Sequence, residues 1–345
     1  MCVLHLIDNG VTVGNEAGKI YIKYQSETKD VPIETIDGIN VYGKPQLTTQ
    51  CVEECMRRGI PISFFSSTGG YIGGFSGTNY VNVKRQRIQA TFNLSDTSFE
   101  LAKKIIGAKI SNQISILRRF NRNYTSSEVI LAEEETDKCG IQSNINNMLR
   151  YKKHIDSCET IPQLMGYEGI SAREYFDGLG MLVNFEYSFD HRSKCPAKDP
   201  FNSMLSFGYS LLYKELYGII VSKGLSPYLG FIHEDHEGHP ALVSDMIEEW
   251  RAVIIDSMVM SLVNGKEMSL VDDFEGIQSE YPYYLTNTGR KKVLDKYNKK
   301  MDTTTSYIAG ASKMSYRRAL EYQVSSMIHA IEENDASRYN PIVIR

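Results

Sequence analysis

The sequence predicts an α+β chain in which a small β-rich N-terminal domain precedes a larger all-helical domain. Three observations predict it. Within residues 3–75, apolar and polar residues alternate with a period of two, and turn residues punctuate the alternation. Beyond residue 80 the apolar positions move to helical spacing, and no strand-like run of comparable length returns. The 345 residues give room for two domains, and a composition of 42% hydrophobic and 23% charged residues is that of an ordinary globular protein.

Strands are expected at 3–7, 11–14, 19–24, 31–33, 38–42, 60–65 and 71–75, separated by turn signals such as Asn9-Gly10, Ala17-Gly18 and Gly43. One helix, over 46–58, interrupts them and is closed by Gly59 and Pro61. These elements make a domain of residues 1–80. A linker with partial helical pattern, 81–95, leads to the helical domain, 96–345. There the period predicts helices over 97–120, 128–135, 142–155, 171–180, 202–222, 240–263, 289–300 and 312–333. The first carries its apolar face on Leu101, Ile105, Ala108, Ile110, Ile114 and Leu117.

Composition removes several function classes. No apolar run reaches the about 18 residues that suggest a bilayer span, so no membrane role is expected. The N-terminus lacks the basic and apolar regions of a signal peptide, and a cytoplasmic protein is expected. The six cysteines show no CxxC pairing and argue against a zinc ribbon or a disulfide framework; Cys51 and Cys55 read as half-buried thiols one helical turn apart. The net charge is −4, but its distribution is uneven. No acid lies between Tyr71 and Leu94, which hold Lys84, Arg85 and Arg87. Glu100 is the lone acid between Asp96 and Glu128, a stretch with Lys103, Lys104, Lys109, Arg118, Arg119 and Arg122. So long a basic region suits contact with phosphates, although a solvated helix face would look similar.

Three residues stand out as candidate metal ligands: Glu168 in GYEGISAREYF, His233 ending GFIH, and Glu248 in DMIEEW. One imidazole and two carboxylates suit a hard or borderline divalent ion such as Mg²⁺ or Mn²⁺. Each has a plainer reading. Glu168, expected just ahead of a helix at 171–180, could serve as its cap. His233 could be a core or capping residue. Asp245, Glu248 and Glu249 could form the solvated face of an amphipathic helix, with Arg251 as a surface partner. His233, His236 and His239, spaced by three, offer a rival zinc or nickel site, though on a loop rich in Gly and Pro.

Taken together these segments resemble the CRISPR-associated integrase/endonuclease family, the catalytic subunit of spacer acquisition. The first block is Gly166, Glu168, Gly169, Ala172, Arg173, Tyr175 and Phe176. The second is Arg192, Lys194, Pro196, Asp199, Pro200, Asn202, Leu205, Ser206, Gly208 and Tyr209. The third joins Gly230-Phe231-Ile232-His233 to Asp245-Met246-Ile247-Glu248. Ile36, Ile39 and Gly43, the turn Arg58–Pro61, and the tail from Tyr316-Arg317 to Tyr339 and Pro341 fit as well. The chain departs from the pattern at Glu248, where many relatives carry Asp, at His239, where Arg is common, and at Ala241 in place of Ser.

The resemblance implies a β-sandwich-like N-terminal dimerisation domain and a helical catalytic domain. It implies that Glu168, His233 and Glu248 hold Mg²⁺ or Mn²⁺, with Asp245 as a supporting acid. The implied activity is metal-dependent cleavage of DNA and insertion of spacers into a CRISPR array by 3′-hydroxyl attack. Double-stranded DNA (prespacer and leader–repeat) would contact the basic residues above together with Arg173 and Arg192. The implied assembly is a homodimer joined by a small companion adaptation subunit into a heterohexamer. A neutral His233 ligand implies activity that falls below about pH 6.

Overall fold

The computed structural model describes all residues except 1, 67–70, 76, 78–80, 126–134, 194–196, 235, 277–282, 307–312 and 345. The expected helix near 128–135 and motif residues Lys194 and Pro196 thus lie largely or wholly outside the described residues.

The N-terminal region contains two four-stranded sheets. One consists of β1 (Cys2–Leu6), β5 (Ile36–Val41), β7 (Ile62–Phe65) and β8 (Tyr71–Phe75), in that order. Its first three strands run parallel, and β8 is antiparallel to β7. The other has the order β4 (Glu27–Pro32), β3 (Lys19–Tyr24), β2 (Thr12–Glu16) and β6 (Gln46–Leu47). Helix α1 (Thr49–Arg58) is capped by Thr48, whose hydroxyl accepts the Cys51 amide, and ends at Gly59 in the left-handed conformation. Val13, Ile20, Ile33, Ile39, Cys51, Cys55 and Ile62 are fully buried in one core shared by both sheets and α1.

Helix α2 (Val83–Phe92) occupies much of the expected linker. It is docked: the buried Gln89 donates to the carbonyls of Ser226 and Leu229 and accepts the Ser226 amide, and Phe92 enters the helical core. Helices α3 (Asp96–Thr125), α4 (Glu135–His154), α5 (Ile161–Gly180) and α6 (Pro200–Ser222) follow. The expected helix at 240–263 is divided. It forms α7 (Ala241–Trp250), a π-helical segment (Arg251–Asp256) and α8 (Ser257–Asn264). The chain closes with α9 (Asn287–Asp302) and α10 (Tyr316–Glu333). Two-residue strands β9 (Phe274–Glu275) and β10 (Tyr284–Leu285) pair with each other, as do β11 (Thr304–Thr305) and β12 (Met314–Ser315).

The two regions share a boundary core. Tyr42 and Phe65 of the sheet region stack at 4.6 Å, and Tyr42 meets Phe207 of α6 edge-on. Helix α7 is buried along its whole length, so a residue on it is held by packing on every side. No helix among the described residues is long and apolar enough to cross a membrane.

Candidate active site

Glu168 lies within α5, not ahead of it. Thr160 caps this helix by accepting the Gln163 amide, and Pro162 occupies the first turn. Gly166 and Gly169 suggest a turn in the sequence, yet a Cβ at either would meet nothing within 4 Å, so the helix passes through both without strain. Glu168 therefore receives no helix-terminal amides. Its partner is the ammonium of Lys109 from α3.

His233 sits on the loop before α7. Asp245, fully buried on α7, accepts the amides of Phe231 (2.7 Å), Ile232 (3.1 Å) and His233 (3.0 Å). The same carboxylate lies 2.7 Å from His233 Nδ1. Because a buried carboxylate accepts there, Nδ1 carries the proton and Nε2 presents its lone pair. Gly230 permits this geometry: a Cβ would stand 2.7 Å from both Ala241 Cβ and Asp245 Oδ2.

Glu248 shares α7 with Asp245. Burial would raise its pKa, but the charges of Arg251 and Lys109 override that and hold it near about 2. Arg251 Nε is 3.3 Å from Glu248 Oε1. Lys109 Nζ is 2.5 Å from Glu248 Oε2, an ion pair buried from water. Lys109 itself is buried. Desolvation opposes its charge, and Glu248 and Glu168 more than offset it, raising the pKa above the ordinary lysine value.

Glu168, His233 and Glu248, distant in sequence, line one cavity of about 470 Å³. Arg173, Arg192 and Arg251 line it as well. Tyr209 lies between two of these cations, its ring 5.3 Å from the Arg192 guanidinium and 5.0 Å from that of Arg251. Its hydroxyl and that of Tyr175 both donate to the buried Asp256 at the end of the π segment. Gly208 allows the π segment to approach, since a Cβ there would lie 2.6 Å from Ile255 Cγ2. Arg251 enters the sequence reading only as the surface partner of the plainer, solvated-face alternative, and Asp256 does not enter it; helical periodicity cannot anticipate a π segment.

The donor set can be tested for a divalent ion. Among the described residues no three His, Cys, Asp or Glu side chains stand close enough to chelate an ion as they are. The reason is local: the Lys109 ammonium holds the position between the two glutamates. A cation is thus already stabilised there by the two carboxylates, and His233 Nε2 supplies a further donor of a kind Mn²⁺ accepts. The residues fit the ion once Lys109 withdraws. His239 contacts Ser244 Oγ at 3.0 Å, and its ring centroid is 6.5 Å from those of His233 and His236.

The basic stretch does not form one surface. Lys109 serves the carboxylates. Arg85 ties α2 to Glu332 at 2.7 Å and to the Lys223 carbonyl. Lys104 donates to the carbonyls of Ala336 and Tyr339, and Lys103 lies 3.2 Å from Glu100. Lys84, Arg87, Arg118, Arg119 and Arg122 are exposed.

Residues 4–299 match the family model described as CRISPR associated protein Cas1. The chain is 33% identical over 314 residues to a CRISPR-associated endonuclease Cas1 of Mycobacterium tuberculosis (strain CDC 1551 / Oshkosh), covering 89% of this chain and 87% of the relative. It is 34% identical over 304 residues to a Cas4 exonuclease/Cas1 endonuclease fusion of Leptospira interrogans, covering 87% of this chain and 54% of the fusion. The fold matches that of a Cas1 protein from Thermotoga maritima, with a TM-score of 0.80 at 23% identity over 96% of this chain and 97% of the other. It also matches a casposase bound to integration product, with a TM-score of 0.81 at 24% identity over 97% and 92% of the two chains. The blocks around Glu168, His233 and Glu248 fall inside the matched span, and the chain belongs to the Cas1 family of CRISPR-associated integrases/endonucleases.

Proposed function

We propose that the chain is a divalent-metal-dependent DNA endonuclease and integrase. It inserts short DNA fragments into a CRISPR array by 3′-hydroxyl attack on a repeat phosphodiester. The observation that carries this reading is the convergence of Glu168, His233 and Glu248 on one cation-holding cavity beside three arginines. Relatives at about a third identity carry the endonuclease name, and the casposase neighbour is bound to an integration product.

Glu168, Glu248 and His233 Nε2 would hold Mg²⁺ or Mn²⁺. When bound, the ion supplies Lewis-acid chemistry at the phosphodiester and lowers the pKa of the attacking hydroxyl. Asp245 keeps His233 in the ligating tautomer and aims it. Arg173, Arg192 and Arg251 bind and orient the phosphate, with Tyr209 and Asp256 holding the last two in place. Lys109 neutralises both glutamates, and its ammonium would have to yield its place to an ion they held.

The DNA partner is a prespacer and a leader–repeat duplex. A second copy of the chain and a small companion subunit complete the assembly, a proposal supported by a fold neighbour from a complex that names Cas1 with Cas2. Exposed β4 edges its sheet and offers a surface for self-pairing.

Strand transfer tests the reading. The protein, with and without the companion, is incubated with a 3′-hydroxyl duplex and a supercoiled leader–repeat plasmid in Mn²⁺, Mg²⁺ or EDTA. Joined or nicked product that needs both metal and Glu168, judged with Glu168→Ala, supports it. A DNA gel shift without product in any ion replaces it with a non-catalytic scaffold.

A further inference from the structure

A second cleft, of about 680 Å³, shares no lining residue with the candidate active site. It lies between the C-terminal part of α3, α8 and α9, and Arg119, Lys296, Lys299 and Lys300 line it. No acidic side chain appears among its described lining residues. Asp256 faces the candidate active site while its neighbour Ser257 lines this cleft, so the two are back to back across the π segment. Along α3, Arg119 is about 15 Å beyond Lys109.

Lys300 is the informative residue. Its ammonium is turned inward, 3.0 Å from Ser257 Oγ and 5.1 Å above the Tyr316 ring. No carboxylate pairs with Lys300 or Arg119 among the described residues, whereas Lys296 has Glu267 at 2.5 Å. Ser257 already donates its hydroxyl proton to the Val253 carbonyl, so it offers Lys300 a lone pair and no charge. Burial and the nearby Arg119 push the Lys300 pKa down to about 8. Lysines at the end of α9 suit the helix dipole, and that accounts for exposed Lys299. It does not account for a half-buried ammonium turned against the cleft wall without a counter-charge, an arrangement that an anion in the cleft would stabilise.

We propose that this cleft is a phosphate-binding site, with Arg119 and Lys300 as its principal contacts and room for more than one phosphate group. Backbone phosphates of a nucleic-acid strand and small phosphorylated compounds share this chemistry, and experiment separates them. The nucleic-acid source deepens the proposed function by giving DNA a hold outside the catalytic cavity. The site itself does not depend on that function.

The test compares wild type, Glu168→Ala, Arg119→Gln/Lys300→Met and a control, Lys19→Gln/Lys44→Gln, which removes two exposed charges from the sheet region. Thermal melts are run in inorganic phosphate against chloride at equal ionic strength. Binding of a fluorescent oligonucleotide is followed by anisotropy in EDTA across a salt series. Phosphate is expected to raise the melting temperature of wild type, Glu168→Ala and the control, and to raise that of Arg119→Gln/Lys300→Met distinctly less, since the arginines of the active-site cavity remain in that variant. If the source is nucleic acid, the cleft variant also loses about tenfold in oligonucleotide affinity and about two in salt slope, one per phosphate contact. Reduction of the phosphate response alone assigns the site to small phosphorylated compounds. A cleft variant that matches wild type in both assays, or a control that loses as much as the cleft variant, overturns the proposal. Since Glu168→Ala removes a proposed metal ligand and leaves every residue of the cleft in place, failure of one reading is distinguishable from failure of the other.

Discussion

Asp245 Oδ1 lies 2.7 Å from His233 Nδ1, and the same buried carboxylate gathers three consecutive backbone amides of the loop that carries this histidine. Loop position, ring orientation and tautomer thus depend on one side chain. Asp245→Asn is expected to weaken Mn²⁺ binding by about 10–100-fold, as loss of an outer-shell partner does elsewhere. It should also cost about 1–3 kcal/mol, because its amide group opposes backbone donors. Titration calorimetry at a temperature where the variant is folded separates the two effects. Wild-type affinity in the variant would remove Asp245 from this role.

Lys109 bridges Glu168 and Glu248. Lys109→Met leaves the buried Glu248 facing the half-buried Glu168 and is expected to lose about 3–5 kcal/mol in EDTA. Mn²⁺ should then raise its melting temperature more than that of wild type. The acid side carries a second signature. The folded pKa of Glu248, about 2, lies below its ordinary value of 4.5. Its stabilisation is therefore present above pH 4.5 and is lost as pH falls toward 2. Removing Lys109 should move that loss to higher pH in melts recorded between pH 2 and 5.

Glu249, beside Glu248, faces the opposite way and clasps the C-terminal tail. It accepts from Gln323 (2.7 Å), Tyr339 (2.9 Å) and the Ile342 amide (2.8 Å). Burial outweighs these donors and raises its pKa to about 8. A raised carboxyl pKa gives stability that is full below the unfolded value and is lost as pH climbs through the folded one. Between pH 4.5 and 8 this group alone should remove up to about 1.4 kcal/mol per pH unit. Glu249→Gln is expected to flatten that slope, at the expense of one mismatched donor at low pH. Denaturant melts at pH 5, 6.5 and 8 check it.

Gly230 stands where a methyl group would collide with both Ala241 Cβ and Asp245 Oδ2. Gly230→Ala is expected to cost about 1–3 kcal/mol by overpacking and to displace the His233 loop. Strand-transfer rates should fall more steeply than stability, and a Mn²⁺ titration should show the weakened site directly.

Much of this architecture was legible in the sequence. Period-two alternation located most strands of the N-terminal sheets, and Gly59 marked the end of α1 as a left-handed cap. The start of α5 was missed because Gly166 and Gly169 resemble turn residues, whereas Thr160 and Pro162 form the true start signal. The π segment was invisible because its apolar residues still satisfy a helical pattern. The three candidate ligands were recognisable from their motifs, but their common cavity depends on contacts among α3, α5, α6 and α7. Lys109 illustrates the limit most clearly. Its place in a basic stretch suggested phosphates, and only the packing of α3 against α5 and α7 turns it toward two glutamates.

Mn²⁺ binding followed by electron paramagnetic resonance distinguishes the glutamate site from the histidine tract. Glu168→Ala, His233→Ala and Glu248→Ala are each expected to abolish the tight site of the folded protein, while His236→Ala leaves it intact. Retention of that site in the two glutamate variants, with loss in His236→Ala, would instead place the metal in the histidine tract.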